Sequence, residues 1–314
     1  MFHKDSYERH KNNWKKELTL PDRLKIHETW FREDTVDFYR HLRMYEPVFE
    51  CLNSKKEKKW LTVGDGRYGL DAIRMKRRGF SDVTSTDITE DLLKLAYDAG
   101  YLDKFSAQNA ECLTFDDEVF DYVLCKEAFH HFPRPYLALY EMLRVAKEAV
   151  VLIEPQDKYI DLPMYQDARK PGYEEEDANF IYDTSQAELE KVCLALNFPC
   201  LAVKNISDIY EKGVEFERAI DSNSFFTEFK RKISEREQLC NANKEKHNLL
   251  MAVLFKKIPD LLDINVFQEF GWKICDLGNN PYLTKDDKKT ANQDEKQTIS
   301  IEANQDGTAR IYSL

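Results

Sequence analysis

The stretch WLTVGDGRYGLDAIRMKRRG, residues 60–79, sets Gly64, Gly66 and Gly69 between a short apolar run and a helix-like pattern ending in basic residues. Glycine lacks a Cβ, so backbone amides at such a turn can approach a ligand closely, and the helix start that follows favours negative charge. About twenty residues on, where a carboxylate can accept hydrogen bonds from both hydroxyls of a ribose, Asp87 closes a second strand-like run, DVTSTD. The pair of features suits an adenosine-bearing ligand. Taken alone, GxGxxG admits nicotinamide, flavin or another nucleotide, and the plain alternative is a tight turn with a capping aspartate. A second chemical stretch is CKEAFHHFPRP, residues 125–135. Its Glu127, His130 and His131 are candidate proton acceptors, since imidazole titrates near neutrality. Adjacent histidines on a helix cannot face one way, so at most one meets a substrate; in the alternative, the pair opens the next helix and packs.

These residues need a scaffold. The strand-like runs WLTV (60–63), DVTSTD (82–87), FSAQ (105–108), FDYVLC (120–125) and AVVLIE (149–154) alternate with GLDAIRMKRRG, TEDLLKLAYDAG and RPYLALYEMLRVAKE. The last two put apolar residues on one helical face, and Gly79 and Gly100 fall where helix C-caps belong. Such alternation predicts βαβ units, right-handed crossovers and a parallel sheet, hence an α/β fold. Ligands of a doubly wound sheet bind at the carboxyl ends of its strands near the switch point, where the glycine turn falls. Downstream, TSQAELEKVCLALNFP (184–199) reads as a helix capped by Thr184 or Ser185, with Glu188 three after Ser185. CLAVKN (200–205) and LLMAVLFKK (249–257) read as further strands.

The flanks differ from this core. Residues 1–56 carry apolar side chains at three- and four-residue spacing and read as helices, with NSKKEKK (53–59) as a solvated linker. Residues 156–180 hold Pro, Gly and an acidic run and read as an insertion or lid; 284–298 is polar, and the alternation around Asp306-Gly307 reads as a peripheral hairpin. The expected division is an N-terminal helical lid over 1–56, a core over 57–258 with insertions at about 156–180 and 210–247, and a C-terminal extension over 259–314.

Composition narrows the partners. A net charge of −11 and a pI near 5.3 argue against a broad nucleic-acid or anionic-membrane surface. The seven cysteines form no CxxC pair and read as reduced thiols. The N-terminus MFHKDSYERHKNNWKKE has no apolar core of a secretory signal, and no run reaches the ~20 apolar residues of a membrane span. A cytoplasmic protein is expected, without nucleic acid or membrane span, and with homo-oligomer formation left open. His130-His131 lacks matching Cys/His spacing, so no metal is expected, and no GxxxxGK[ST] loop is present.

The glycine turn, Asp87, the segment Asn109-Ala110-Glu111 and the following LTFDDEVFDYV together resemble class I S-adenosylmethionine-dependent methyltransferases, over roughly residues 57–155. The layout of CKEAFHHFPRPYLALYEMLRV is similar to bacterial small-molecule or glycan-type members of the methyltransferase-11 kind. The resemblance implies a Rossmann-like, doubly wound, seven-stranded sheet whose last strand is antiparallel. It implies S-adenosyl-L-methionine as cofactor, with Gly64, Asp65, Gly66 and Gly69 by its amino-acid part, Asp87 and Ile88 at the ribose, Asn109 and Ala110 at the adenine, and Lys126 nearby. It implies in-line methyl transfer to a small molecule or glycan precursor, beside Glu127, His130 and His131. Lys126 and Arg134 could hold an anionic acceptor. Thr62 stands where the family often has an acid, and Asn109 where it commonly has Asp. Two alternatives stay open: a nicotinamide-dependent oxidoreductase using the same turn, and a cofactor-binding protein without catalysis. The tetrapeptide NPYL (280–283) lies far from the fourth strand and reads as a C-terminal turn.

Overall fold

The computed structural model describes residues 4–158, 181–277, 280, 299–303 and 309–313. Its strands are β1 (Lys59–Val63), β2 (Asp82–Asp87), β3 (Phe105–Ala107), β4 (Phe120–Lys126), β5 (Ala146–Pro155), β6 (Cys200–Ile206), β7 (Leu249–Phe255) and β8 (Lys273–Asp276). They form one sheet in the order β3-β2-β1-β4-β5-β7-β6-β8. The first five are parallel, whereas β7 runs antiparallel to β5 and β6, and β8 antiparallel to β6. The strand order reverses between β1 and β4, so the switch point lies at the end of β1, where the glycine turn begins. This is the α/β fold that the alternation implied, doubly wound and Rossmann-like as the resemblance implied.

Helices α1 (Lys4–Glu17), α2 (Pro21–Trp30) and α3 (Val36–Cys51) precede the sheet; α4 (Leu70–Arg77), α5 (Asp91–Asp98), α6 (Pro135–Val145), α7 (Gln186–Ala195), α8 (Ser224–Asn241) and α9 (Leu261–Glu269) follow its strands. The central strands are buried almost without interruption, as a sheet covered on both faces requires, and successive side chains enter opposite layers. Leu61, Val123 and Cys125 join α6 and α7 through Leu139, Met142 and Leu189. Trp60, Tyr122 and Leu124 point the other way, onto Met44, Tyr45 and Val48 of α3. The capping box foreseen on α7 is present, with Ser185 and Glu188 exchanging side-chain and backbone bonds.

Three expectations need correction. The sheet has eight strands, because Lys273–Asp276 adds β8 beside β6. The helix after β4 stops at Val145, not at Glu148, because Ala146 already pairs with Phe120 and opens β5. The terminal hairpin, β9 (Ile299–Ala303) with β10 (Ala309–Ser313), forms its own two-stranded antiparallel sheet apart from the large one. Its Asp306-Gly307 turn, and residues 159–180 of the expected lid, lie outside the described residues. Among the described residues, no helix is long and apolar enough to cross a membrane.

Candidate active site

The turn after β1 is built by backbone conformations that demand glycine. Gly64 has φ +76° and Gly69 has φ +72°, both in the left-handed region. A Cβ on Gly64 would stand 2.4 Å from Cβ of Ala128, and one on Gly69 would stand 2.7 Å from Cδ1 of Leu102. Gly66 is buried between them, its carbonyl accepting from the amide of Tyr68 at 3.0 Å. Gly64→Ala is therefore expected to destabilise the fold by about 2 kcal/mol through strain at the turn. A thermal melt checks it, and an unchanged melting temperature would refute this account of the turn.

Asp65 departs from expectation. Its carboxylate turns inward and accepts from the amides of Asp71 and Ala72 at 3.0 and 3.1 Å, and from the hydroxyls of Thr62 and Ser85 at 2.8 and 2.9 Å. The first amides of α4 have no partner within the helix and need an acceptor. Asp65 supplies it, and Thr62 donates to Asp65 rather than supplying an acid of its own. With four donors on two oxygens, this carboxylate is not left for a ligand's ammonium group.

Asp87 behaves differently. It sits at the end of β2, buried, and accepts only from the backbone amides of Ile88 and Thr89 among the described residues. Burial pushes its carboxyl up to about 7, against the pull of those two amides. A buried carboxylate with no side-chain donor is an acceptor awaiting one. Ile88 beside it is half-buried. Beyond β3, Asn109 folds back on itself, its Oδ1 accepting from the amide of Glu111 at 3.0 Å, with Ala110 buried next to it. One carbonyl lone pair of Asn109 remains for a further donor.

The segment after β4 is held by a residue whose part the sequence did not make plain. Glu154, at the end of β5, is fully buried. It accepts from the amides of Ala128 and Phe129 at 3.0 and 3.1 Å and from Nδ1 of His130 at 2.7 Å. Burial opposes charge on His130, but the hydrogen bond and charge of Glu154 outweigh it and raise its pKa. His130 is thereby a structural partner of Glu154. His131 lies against it, ring centroids 3.9 Å apart, and faces His10 of α1 at 6.0 Å. Burial, together with the neighbouring His130, His10 and Arg67, holds His131 well below its ordinary pKa, so its ring is neutral.

Glu127 and Lys126 are engaged on the opposite side. Glu127 takes a left-handed backbone, φ +48°, uncommon outside glycine. Burial opposes its ionisation, yet Lys126, His41 and Arg40 outweigh it and hold Glu127 well below the carboxylate range. A carboxylate so stabilised is a poor proton acceptor, which corrects its candidacy as a base. The ammonium of Lys126 lies 3.0 Å from Nδ1 of His41, 2.5 Å from Glu127 and 5.0 Å from the ring centre of Tyr45. Strand alternation directs it to α3, and its charge also reaches Asp71 in the first turn of α4. Arg134 is likewise engaged, its Nε donating to Glu111 at 2.7 Å.

The N-terminal helices close over this region. His27 and Trp30 of α2 stack at 4.2 Å, and Nδ1 of His27 lies 3.1 Å from the hydroxyl of Tyr68 in the glycine turn. Tyr39 packs edge-on against Phe226 of α8. These aromatics pack against one another and against their neighbours. Asn280 of the NPYL element bonds Asn197 and the carbonyl of Leu194 at the end of α7, a capping role. A separate cavity of about 440 Å³, lined by Lys204, Asn205, Glu237 and His247 among others, lies by β6 and shares no residue with the turn. Among the described residues no cluster could hold a metal ion.

Residues 61–153 match a family described as methyltransferase domain. No curated protein matches the chain. Among solved structures, a SAM-dependent methyltransferase from Archaeoglobus fulgidus is 18% identical, covering 71% of this chain and 95% of its own, with a TM-score of 0.44. Phosphoethanolamine N-methyltransferase 2 from Haemonchus contortus, in complex with S-adenosyl-L-methionine, is 15% identical over 73% of this chain and 59% of its own, at 0.49. The [4+2]-cyclase SpnF is 18% identical over 69% and 82%, also at 0.49.

Proposed function

We propose that this chain, an S-adenosylmethionine-dependent methyltransferase by the domain it carries, methylates a small molecule or glycan precursor at the mouth of the crevice between β1 and β4. The observation that carries the reading is Asp87: a buried carboxylate at the end of β2, beside a glycine turn, bonded only by backbone amides among the described residues. Those residues fit the cofactor. Asp87 and Ile88 would take the ribose, Gly64, Gly66 and Gly69 would lie along the amino-acid part, and Asn109 and Ala110 would flank the adenine. When bound, the cofactor supplies a methyl group already activated on a sulfonium.

The chain's own part is orientation and exclusion of water. Holding reactants ~3–3.5 Å apart in line can supply about 7–11 kcal/mol of the barrier. Neutral His131 can accept a hydrogen bond from an acceptor hydroxyl and so orient it, while His130 is engaged with Glu154. Helices α1 and α2 pack over the crevice, which favours a compact acceptor over a polymer, and the charge of −11 disfavours nucleic acid.

Calorimetry with S-adenosylmethionine, S-adenosylhomocysteine and NADH tests the cofactor assignment. Micromolar binding of the two sulfur nucleotides without response to NADH is expected. Turnover of a panel of phenols and sugar nucleotides tests the acceptor class; methylation of polynucleotides alone would refute it.

A further inference from the structure

We propose that α1 is a clasp across the adenine end of the crevice, with Tyr7 as its catch, and that cofactor and product exchange only when this catch opens. The inference rests on reading the crevice as the cofactor site.

The catch is assembled from residues far apart in the chain. The hydroxyl of Tyr7 donates to Oε2 of Glu111 at 2.5 Å and accepts from Nη2 of Arg134 at 3.1 Å. Arg134 in turn grips Glu111 from its amide and its Nε, each at 2.7 Å, with Nη2 also 2.6 Å from Oε2. Glu111 has its side chain almost wholly enclosed, and among the described residues its carboxylate is met by Arg134 and by the hydroxyl of Tyr7 on α1. One phenol thus ties the N-terminal helix to both the segment after β3 and the segment that leads into α6.

The same helix face reaches toward the reacting end. His10, three residues after Tyr7, faces the ring of His131. Its Nδ1 is fully enclosed and has no hydrogen-bond partner among the described residues. An enclosed, unpaired ring nitrogen is costly unless a guest pairs with it. The space between α1 and the segment after β4 is therefore suited to a polar occupant, and α1 is placed to cover both ends of it.

Loss of a hydrogen bond to a charged group corresponds to about a tenfold change or more. Stopped-flow measurement of S-adenosylhomocysteine exchange on the full-length protein reads it. Tyr7→Phe, and separately Glu111→Gln, is expected to raise the association and dissociation rates together by about tenfold, with little change in Kd. Tyr122→Phe is the control, removing a hydroxyl bonded to Glu148 at the opposite end of β4, and is expected to leave both rates unchanged. Exchange rates in Tyr7→Phe equal to wild type, with binding intact, would overturn the clasp alone. Absence of any S-adenosylhomocysteine binding to wild type would overturn the cofactor reading and the clasp with it. Equal acceleration by Tyr122→Phe would reduce the effect to general loosening and overturn the clasp.

Discussion

Replacing Asp87 by asparagine will make the ligand-free protein more stable above pH 7 and weaken S-adenosylhomocysteine binding about 100-fold. Both effects come from one buried carboxyl. Its folded pKa, pushed up to about 7, exceeds the ordinary value of 3.8. A group raised in the folded state contributes stability that is fully present below its unfolded pKa and lost as pH climbs through the folded one. Between pH 4 and pH 8 the wild type thus gives up roughly 4 kcal/mol at this residue. Asparagine does not ionise, so its advantage over wild type is largest at pH 8 and shrinks as pH falls toward 4. Binding runs the other way: the ionised carboxylate is the better acceptor for ribose hydroxyls, so wild-type affinity rises with pH through neutrality. The amide keeps the shape and forfeits the charge-assisted bonds, about 3 kcal/mol for the pair. Thermal melts at pH 5 and pH 8, paired with calorimetry, check both arms. A variant with wild-type affinity would remove Asp87 from the ribose; one without the stability gain at pH 8 would show that its charge is compensated.

Glu154→Ala should be the most disruptive single change near the crevice, destabilising the fold by about 3–5 kcal/mol. It strips the acceptor from two buried amides and from the imidazole of His130 at once. Glu154→Gln keeps an oxygen for Ala128 and Phe129 and should cost less, about 1–2 kcal/mol. The two are separated by His130. With its pKa raised by Glu154, His130 contributes stability that is fully present below its ordinary 6.5 and lost as pH rises through the folded value. The gap between wild type and the glutamine variant is therefore widest below pH 6 and narrows in alkali. Denaturant unfolding at pH 5.5 and pH 8.5 measures it. A gap independent of pH would mean that His130 draws no charge stabilisation from Glu154.

The scaffold was legible because its strands are short, largely apolar runs set between amphipathic helices of ordinary length. β1 through β7 follow from that rhythm. The boundary between α6 and β5 did not, since Ala146, Lys147 and Glu148 favour helix locally, and only pairing with β4 converts them to strand. β8 escaped notice because four residues, Lys273–Asp276, carry too little pattern to stand out.

At the site, residue types were readable and directions were not. Asp65, Lys126 and Glu127 sit in the expected neighbourhood, yet α4's unpaired amides draw Asp65 inward and the α3 face draws Lys126 away. Such choices depend on which face of a strand a register selects. Tyr7 was invisible for another reason: its partners are more than a hundred positions away along the chain. The only local clue was Tyr7 and His10 spaced i, i+3 on one helix face.

The antiparallel insertion of β7 between β5 and β6 bears on how the molecule is made. This central slot is filled by residues 249–255, among the last of the large sheet to leave the ribosome. Until they emerge, the nascent chain carries two naked strand edges with unmatched amides, the kind of surface that recruits chaperones or sticks to another copy. Translation that halts before residue 249 would leave a polypeptide unable to close its own middle.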